Sequence, residues 1–296
     1  MTRNKSILSH NSVLEHLHTF KQVPISIGCT LEDEKKDILI DQEWDIYQDT
    51  GIIQLRDPLS LELVYKYPHN DAFGTSWDNH FRKFSSFISK YNPKNVLEIG
   101  GGSGKLSSLY VKRNPTCHWT MLEPNPQGYD LNPTKNQNIE IIQEWFTNDY
   151  KIKQNTDAIV HTHVLEHTYD PIDFLKTIYN KSNQNTKHIF SFPNLSESLK
   201  KYWTNCLSFE HTVFLTEEIT DIVLQQSGFK ILEKQYYEDH SIFYACEKSI
   251  PQQVEFPSSI YSTNKLIFLN YLKYHQNDIK NLNKKIEEFD GEVFLF

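Results

Sequence analysis

Short apolar runs alternate with helix-length segments through the middle of the chain. Seven of these runs have the size of buried strands: residues 96–99, 119–122, 139–142, 158–160, 188–192, 229–232 and 242–245. Strands that alternate with helices pack as a mostly parallel sheet, which the helices cover on both faces. The pattern therefore predicts an α/β fold over residues 95–247.

The segments on either side of this region have different patterns of apolar and polar residues. Residues 1–75 carry short strand-like runs at 38–40 and 52–55, with turn residues between them. Residues 260–285 keep a rough helical spacing of apolar positions among lysines and asparagines. An amphipathic helix is also predicted just before the first central strand, because apolar residues recur there at steps of three and four: Phe81, Phe84, Phe87 and Ile88.

These patterns predict that the chain has three parts. They are an N-terminal appendage over residues 1–75, a central domain over 76–249 and a C-terminal helical extension over 250–296. The last residues, 292–296, form an apolar run for which two interpretations stay open. The run either pairs with the edge of an existing sheet or is the first strand of a further, truncated domain.

Composition and charge argue against several classes of binding partner. The formal net charge is −8, and we find no stripe of clustered lysine and arginine, which argues against a nucleic-acid partner. No run of 18 apolar residues and no signal-peptide pattern is present, so we expect a cytoplasmic protein without a membrane partner. The four cysteines lie far apart without a CxxC pair, so we expect buried thiols and no metal site.

The strongest motif is a glycine-rich turn after the first central strand. Residues 96–104 read V-L-E-I-G-G-G-S-G, with Gly100, Gly101, Gly102 and Gly104 in the turn and Glu98 before it. Glycines are needed where the backbone turns sharply and a ligand approaches closely. The spacing differs from the dinucleotide pattern G-x-G-x-x-G, and the acid suits a ligand's ammonium group better than a pyrophosphate. The alternative is a structural turn without a ligand.

Two more acidic positions follow at the ends of the next strands. Glu123, followed by Pro124, lies 23 residues after Gly100, the separation at which an acid meets ribose hydroxyls. Its alternative interpretation is an ordinary surface carboxylate. After the third strand, Glu144, Trp145 and Phe146 offer an acid, backbone N–H groups and aromatic rings suited to an adenine, unless the aromatic pair only caps the core.

These motifs, in this order, resemble the class I S-adenosylmethionine-dependent methyltransferases. The fourth strand fits as well, with D-A-I-V at 157–160, V-L-E-H at 164–167 and Asp170-Pro171. The resemblance covers residues 96–247 and implies a Rossmann-like sheet, S-adenosylmethionine as cofactor, and His163 as a further cofactor-binding residue. The usual Gly-Gly turn before the fifth strand is absent, and residues 183–186 take its place.

A narrower resemblance is to methyltransferases that act on deoxysugars. Residues 50–55, Tyr65 and Tyr67, His80, and the run F-E-H at 209–211 look like segments of those enzymes. That family carries an N-terminal zinc knuckle, but Tyr47 and Thr50 stand here where its cysteines would be. The resemblance therefore implies a degenerate knuckle without metal, and it likens residues 292–296 to the opening of the family's C-terminal domain.

Histidines are the candidate catalytic groups, because methyl transfer from a sulfonium leaves only positioning and proton removal to the protein. Two of the 13 histidines follow strands at the edge of the sheet where open α/β folds bind ligands: His167 and His211. Glu210 is a candidate to orient His211, and Tyr65 is a candidate for the acceptor pocket. The alternatives are polar loop histidines and a core tyrosine.

Together these features predict a methyltransferase for a small hydroxylated acceptor. The narrower resemblance points to a sugar or nucleotide-activated precursor of a capsule or other cell-surface polysaccharide. O-methyl and C-methyl transfer are not separated by the sequence. Two alternatives stay open: methylation of a phosphorylated or other non-sugar metabolite, and a module that binds the cofactor without turnover.

Overall fold

The computed structural model describes residues 2–9, 13–25, 37–64, 72–126, 138–204 and 206–294. Tyr65, Tyr67 and Cys29 therefore lie outside the described residues. Eleven strands are present among the described residues: β1 (Leu14–Pro24), β2 (Leu39–Tyr47), β3 (Ile53–Leu55), β4 (Asn95–Ile99), β5 (His118–Leu122), β6 (Ile139–Ile142), β7 (Ala158–Thr162), β8 (Lys187–Pro193), β9 (Val213–Phe214), β10 (Phe229–Tyr237) and β11 (Ser241–Lys248).

Seven α-helices accompany these strands in the described part of the chain: α1 (Leu61–Val64), α2 (Thr75–Ser89), α3 (Lys105–Arg113), α4 (Pro171–Lys181), α5 (Leu195–Lys200), α6 (Glu217–Gln226) and α7 (Ser258–Glu287). Local chemistry sets several of their starts. Asp170 caps α4 by accepting a hydrogen bond from the Asp173 amide, and Pro171 occupies the first helical position. None of the described helices is long and apolar enough to span a membrane.

The central sheet has seven strands in the order β10-β11-β8-β7-β4-β5-β6. Strands β4 to β8 in this sheet are parallel, and β11 is antiparallel to both β8 and β10. All seven strands predicted from the apolar runs are present, and the predicted α/β fold is confirmed. The strand order reverses at β4, because β5 and β6 follow on one side and β7 and β8 on the other. Ligands bind in open α/β sheets at the carboxyl ends of the strands beside such a reversal.

A second, antiparallel sheet has the order β1-β2-β3-β9. Three of its strands come from the N-terminal appendage and β9 comes from the central segment, so the two parts share a sheet. The turn between β2 and β3 is a hairpin, in which the Gly51 amide donates to the Tyr47 carbonyl at 2.7 Å. Tyr47 and Thr50, the two positions that the sequence analysis compared with zinc-knuckle cysteines, both lie at this hairpin.

The second sheet and the C-terminal helix pack around one core. Trp44 and Leu55 of the sheet are buried with Leu195 of α5 and with Phe268 and Leu272 of α7. The second half of α7 is exposed, and residues 292–294 form no strand. The first half of α7 is thus part of the fold that supports the N-terminal sheet.

Candidate active site

The glycine turn leads from β4 into α3 in a left-handed conformation. Gly100, Gly102 and Gly104 have φ values of 70°, 52° and 74°, a region that side chains other than glycine rarely adopt. A Cβ at Gly100 would lie 2.7 Å from Val164 Cγ2, whereas a Cβ at Gly102 would meet no atom within 4 Å. Gly100 is therefore required by packing against the chain that follows β7. Gly102 borders open space into which a ligand can come close to the backbone.

Glu123 lies across this turn at the end of β5. Its Oε2 accepts a hydrogen bond from the Gly102 amide at 3.0 Å, and its Oε1 accepts one from the Asn125 amide at 2.9 Å. The side chain is half-buried, and Pro124 beside it is also half-buried. The carboxylate is thus held at the open side of the turn, where the sequence predicted it.

Glu98 has a different environment from Glu123. It is 2% exposed, and the Trp119 indole donates a hydrogen bond to its Oε2 at 2.7 Å. Its Cδ lies 3.2 Å from the position of a Cβ on Gly101, so the carboxyl packs beneath the turn. Burial raises the pKa of Glu98 to about 7, with a further contribution from the charge of Glu123. The expectation that Glu98 faces a ligand's ammonium group stays a prediction, and its contacts favour a supporting role.

The segment after β6 separates into an exposed and a packed part. Glu144 is exposed and Trp145 is 47% exposed. Phe146 is half-buried and packs edge-to-face on Phe174 of α4, with ring centroids 5.8 Å apart. Glu144 and Trp145 therefore face outward as a ligand-binding role requires, while Phe146 is part of the core.

Glu166 lies at the centre of an imidazole-rich group after β7. It is in a single 3-10 turn, Leu165–His167, and its side chain is completely buried. Its Oε1 lies 3.2 Å from His163 Nδ1 and 3.9 Å from His167 Nε2. Burial opposes ionisation of this carboxyl, but hydrogen bonding and charge from His163, with the charges of His167 and His211, outweigh it and lower the pKa to about 2. Glu166 is therefore a buried anion surrounded by imidazoles.

His211 and His167 come together, although they follow different strands. Their ring centroids are 4.9 Å apart and their planes are nearly perpendicular. His211 Nδ1 lies 3.1 Å from the Cys206 carbonyl, which can only accept, so Nδ1 donates and Nε2 carries the lone pair of the neutral ring. Glu210 Oε2 lies 4.0 Å from His167 Nδ1. The Cys206 carbonyl therefore sets the tautomer of His211, a role that the sequence analysis gave to Glu210.

The N-terminal segment positions the two loops that carry these histidines. The buried Arg3 guanidinium donates to the Thr212 carbonyl at 2.8 Å and to the Tyr169 carbonyl at 2.6 Å. The Thr212 hydroxyl in turn donates to the Thr168 carbonyl at 3.0 Å. Arg3 thus joins the chain next to His211 to the chain next to His167. Arg3 was not predicted as a site residue, because its partners are backbone carbonyls far along the chain.

A second group of histidines surrounds Trp77 at the start of α2. His80, His163 and His240 have ring centroids between 5.4 and 5.6 Å apart. The Trp77 ring lies 4.8 Å from that of His163 and 4.6 Å from that of His240. Burial, with smaller contributions from neighbouring imidazoles, lowers the pKa of His80 to about 2 and that of His240 to about 4. His240 and Trp77 were not predicted, because the fold alone brings them to His163.

Comparison with known families identifies the class of protein. A sequence model of the methyltransferase domain matches residues 77–234, which is more than half of the chain. The chain belongs to this methyltransferase-domain family. The match includes the glycine turn, Glu123 and both histidine-bearing segments after β7 and β8. No curated protein matches the chain.

Comparison with solved structures finds similarity at low sequence identity. The mitomycin 7-O-methyltransferase MmcR is 15% identical over 57% of this chain and 54% of its own, with a TM-score of 0.48. The RosA dimethyltransferase from Streptomyces davawensis is 16% identical over 58% of this chain and 55% of its own, with a TM-score of 0.48. A SAM-dependent methyltransferase from Aquifex aeolicus is 12% identical over 57% of this chain and 97% of its own, with a TM-score of 0.45. The chain spans about half the length of MmcR, and the family assignment rests on the family match alone.

Proposed function

We propose that this methyltransferase transfers a methyl group from S-adenosylmethionine to a small hydroxylated acceptor, a sugar or nucleotide-activated precursor of a capsule or other cell-surface polysaccharide. The observation that carries the proposal is the pairing of His211 and His167 around the buried Glu166. Strands β4 and β7 are parallel neighbours, so the glycine turn and this group lie at the same edge of the sheet. A place for a methyl donor and a place for a base are therefore adjacent.

The cofactor is S-adenosylmethionine, whose sulfonium supplies the methyl group and leaves as a neutral thioether. The open space at Gly102 fits a ligand that approaches the backbone closely. Glu123 can accept two hydrogen bonds from a vicinal diol, which is the chemistry of a ribose. Glu144 and Trp145 are exposed where an adenine would need an acid and an aromatic face. Glu98 supports the turn from beneath through Gly101 and Trp119.

The chain's own task in the reaction is to orient the acceptor and to accept its proton. His211 Nε2 is the proposed proton acceptor, because Nδ1 is occupied by the Cys206 carbonyl. The imidazolium that forms is stabilised by the buried negative charge of Glu166. His167 lies between Glu166 and Glu210 and can share this charge. General bases of this kind contribute about 10²–10⁴-fold to rate.

The second histidine group meets the first at Glu166 through His163, and its surroundings support a polar, ring-shaped acceptor. The Trp203 ring is 36% exposed and lies 6.5 Å from that of His240, which also contacts Trp77. Indole rings offer flat apolar faces, while the neighbouring imidazoles and carboxylates offer hydrogen bonds. This combination suits a sugar, which has apolar C–H faces and polar edges.

A methyl-transfer assay tests the proposal directly. The purified chain is incubated with S-adenosylmethionine carrying a labelled methyl group and a panel of nucleotide sugars, free sugars and phosphorylated non-sugar metabolites. We expect labelled product with nucleotide sugars, and the product's NMR spectrum separates an O-methyl from a C-methyl group. Calorimetry with S-adenosylmethionine runs in parallel. Transfer only to non-sugar metabolites would contradict the acceptor, and binding without any transfer would indicate a module that only holds the cofactor.

A further inference from the structure

The three-histidine cluster, His80, His163 and His240, has the geometry of a metal site. Each residue offers one ring nitrogen, and these three nitrogens lie within 4.8 Å of one another. Zinc–nitrogen distances of 2.0–2.1 Å in a tetrahedral site put ligand nitrogens about 3.4 Å apart. Rotations that move the nitrogens by at most about 1.4 Å would therefore close the cluster on one ion.

His163 is held as a metal-binding histidine usually is. Its Nδ1 lies 3.2 Å from the completely buried Glu166 carboxylate, and its Nε2 lies 2.9 Å from the Ser241 hydroxyl. Ligating imidazoles commonly donate their second N–H to a carboxylate, which fixes the ring and raises its basicity. The φ of His163 is +51°, a conformation that costs energy for a residue with a Cβ. Such strain persists where the surrounding structure over-determines the position, and it clusters at functional sites.

His80 supplies an independent observation. It is 0% exposed, and its Nδ1 is buried without a hydrogen-bond partner. Its Nε2 lies 2.8 Å from the Ser191 hydroxyl. Buried polar atoms are satisfied in the great majority of cases, so an unsatisfied ring nitrogen needs an explanation. The Ser241 hydroxyl is also shared, since it lies 2.9 Å from His163 Nε2 and 2.5 Å from His240 Nδ1.

We propose that His80, His163 and His240 bind a divalent transition-metal ion of the zinc type. Three imidazoles without a carboxylate in the ligand set favour zinc, cobalt, nickel or copper over magnesium and calcium. The neutral ring is the form that binds metal. Three protein ligands leave a fourth position, which solvent can reach because His163 and His240 are only half-buried.

This proposal departs from the expectation that the chain holds no metal, and the titration below decides between the two. That expectation rested on the missing cysteine pairs, whereas these ligands come from α2, the end of β7 and the turn between β10 and β11. The proposal does not depend on the acceptor or on the role of His211. It concerns binding of the ion, so its test needs no methyl acceptor.

Metal titration of the full chain tests the proposal. The protein is freed of metal with a chelator and of any histidine tag, then titrated with Zn²⁺ by calorimetry and with Co²⁺ by visible absorption. We expect one equivalent of each ion and the intense d–d bands of four-coordinate cobalt. His240→Gln and His80→Gln should each weaken Zn²⁺ binding at least about tenfold. Circular dichroism checks the fold of both variants, and the half-buried His240 provides a result even if the buried His80→Gln variant does not fold.

Two matched variants locate the ion. His211→Gln removes a ligand from the other metal-competent group, Glu166, His167 and His211, and His118→Gln removes an exposed histidine at the start of β5. Both should bind Zn²⁺ as the parent does. The proposal is overturned if no ion binds, if His240→Gln binds normally, or if His211→Gln alone abolishes binding.

Discussion

The two halves of the candidate active site are built in different ways. The cofactor half is local: residues 98–104 and Glu123 come from two neighbouring strands and the turns that follow them. The histidine half is assembled from Arg3, the start of α2, the turn after β7, the loop before β9 and the hairpin between β10 and β11. A contiguous motif can bind a common cofactor on its own. The acceptor side requires the whole fold.

This difference makes the two halves separable by experiment. Changes at Gly102 and Glu123 should act on cofactor affinity. Changes at Arg3 and His211 should act on turnover and leave cofactor affinity unchanged. If a change at Gly102 or Glu123 lowered turnover alone, or a change at Arg3 or His211 weakened cofactor binding, the division of the site into two halves would be wrong.

Gly102→Val should have the largest effect on cofactor binding. Its side chain would fill the open space where the ligand approaches the backbone, and its φ of 52° adds strain for a β-branched residue. We expect calorimetry to detect no binding of S-adenosylmethionine by a variant that still unfolds cooperatively. Gly102→Ala, with a smaller side chain, should bind more weakly than the parent but better than the valine variant. A folded valine variant with parental affinity would remove the glycine turn from the cofactor site.

Arg3→Met should reduce turnover without changing cofactor affinity. It removes the hydrogen bonds that join Thr212 to Tyr169 and leaves the one from the Thr212 hydroxyl to the Thr168 carbonyl, so the loops carrying His211 and His167 are held less firmly. Misplacement of reacting groups by about 1 Å can cost about 10²-fold in rate, so we expect kcat to fall roughly ten- to hundredfold. Arg56→Met is the control, because Arg56 belongs to the same sheet region but pairs with Glu43 and Asp45. Equal losses in both variants would mean that Arg3 only stabilises the fold.

Glu123→Ala should weaken cofactor binding at least about tenfold. Hydrogen bonds that involve a charged group contribute on the order of 1.5–3 kcal/mol each, and the substitution also releases the Gly102 amide. Glu140→Ala on the neighbouring strand is the control, because that carboxylate is exposed and pairs with Lys153. Isothermal calorimetry of the two variants measures the difference. A loss of less than about twofold would make Glu123 an ordinary surface carboxylate.

Glu98→Gln should have the smallest effect on affinity and a measurable effect on stability. The raised pKa, about 7, means that the folded chain keeps a proton which the unfolded chain releases near the ordinary value of 4.5. Stability from this group is therefore present at low pH and is lost as the pH rises through about 7. The glutamine still accepts from Trp119 and does not ionise, so at pH 8 the variant should be more stable by on the order of 1–3 kcal/mol. Denaturant unfolding of parent and variant from pH 4.5 to pH 8 measures this difference in stability. A tenfold loss of cofactor affinity in the variant would instead support contact between Glu98 and the ligand's ammonium group.

The parts of the fold that were predicted from the sequence are those with a contiguous signal. The inner strands β4, β7, β8 and β11 are buried on both faces, so each reads as a short apolar run. Strand β1 was missed because Leu14–Pro24 is half-buried without a clean alternation, and β9 was missed because it has only two residues. The N-terminal appendage was predicted as a separate part, yet β9 pairs with β3 in one sheet.

In the candidate site, too, the features with a contiguous sequence signal were predicted and the contacts made by the fold were not. Glycines in a strand–turn–helix setting and an acid after the next strand are visible in the sequence, and both lie where predicted. The tautomer of His211 depends on the Cys206 carbonyl, and the approach of His240 to His163 depends on sheet packing. Neither contact can be predicted from the spacing of residues along the sequence. His167 and His211 were predicted because each follows a strand, but their mutual contact and the burial of Glu166 needed the structure.

The measurement that tests this account most directly compares His211→Asn with the parent enzyme for turnover and cofactor affinity in the same preparation. Asparagine keeps a hydrogen-bonding side chain and removes the titrating ring, so kcat should fall by about 10²–10⁴-fold while S-adenosylmethionine binds as before. His118→Asn, at an exposed position on the opposite edge of the sheet, should behave as the parent. Normal turnover by His211→Asn, or a loss of cofactor affinity equal to the loss of turnover, would contradict the assignment of His211 as the base and the separation of the site into two halves.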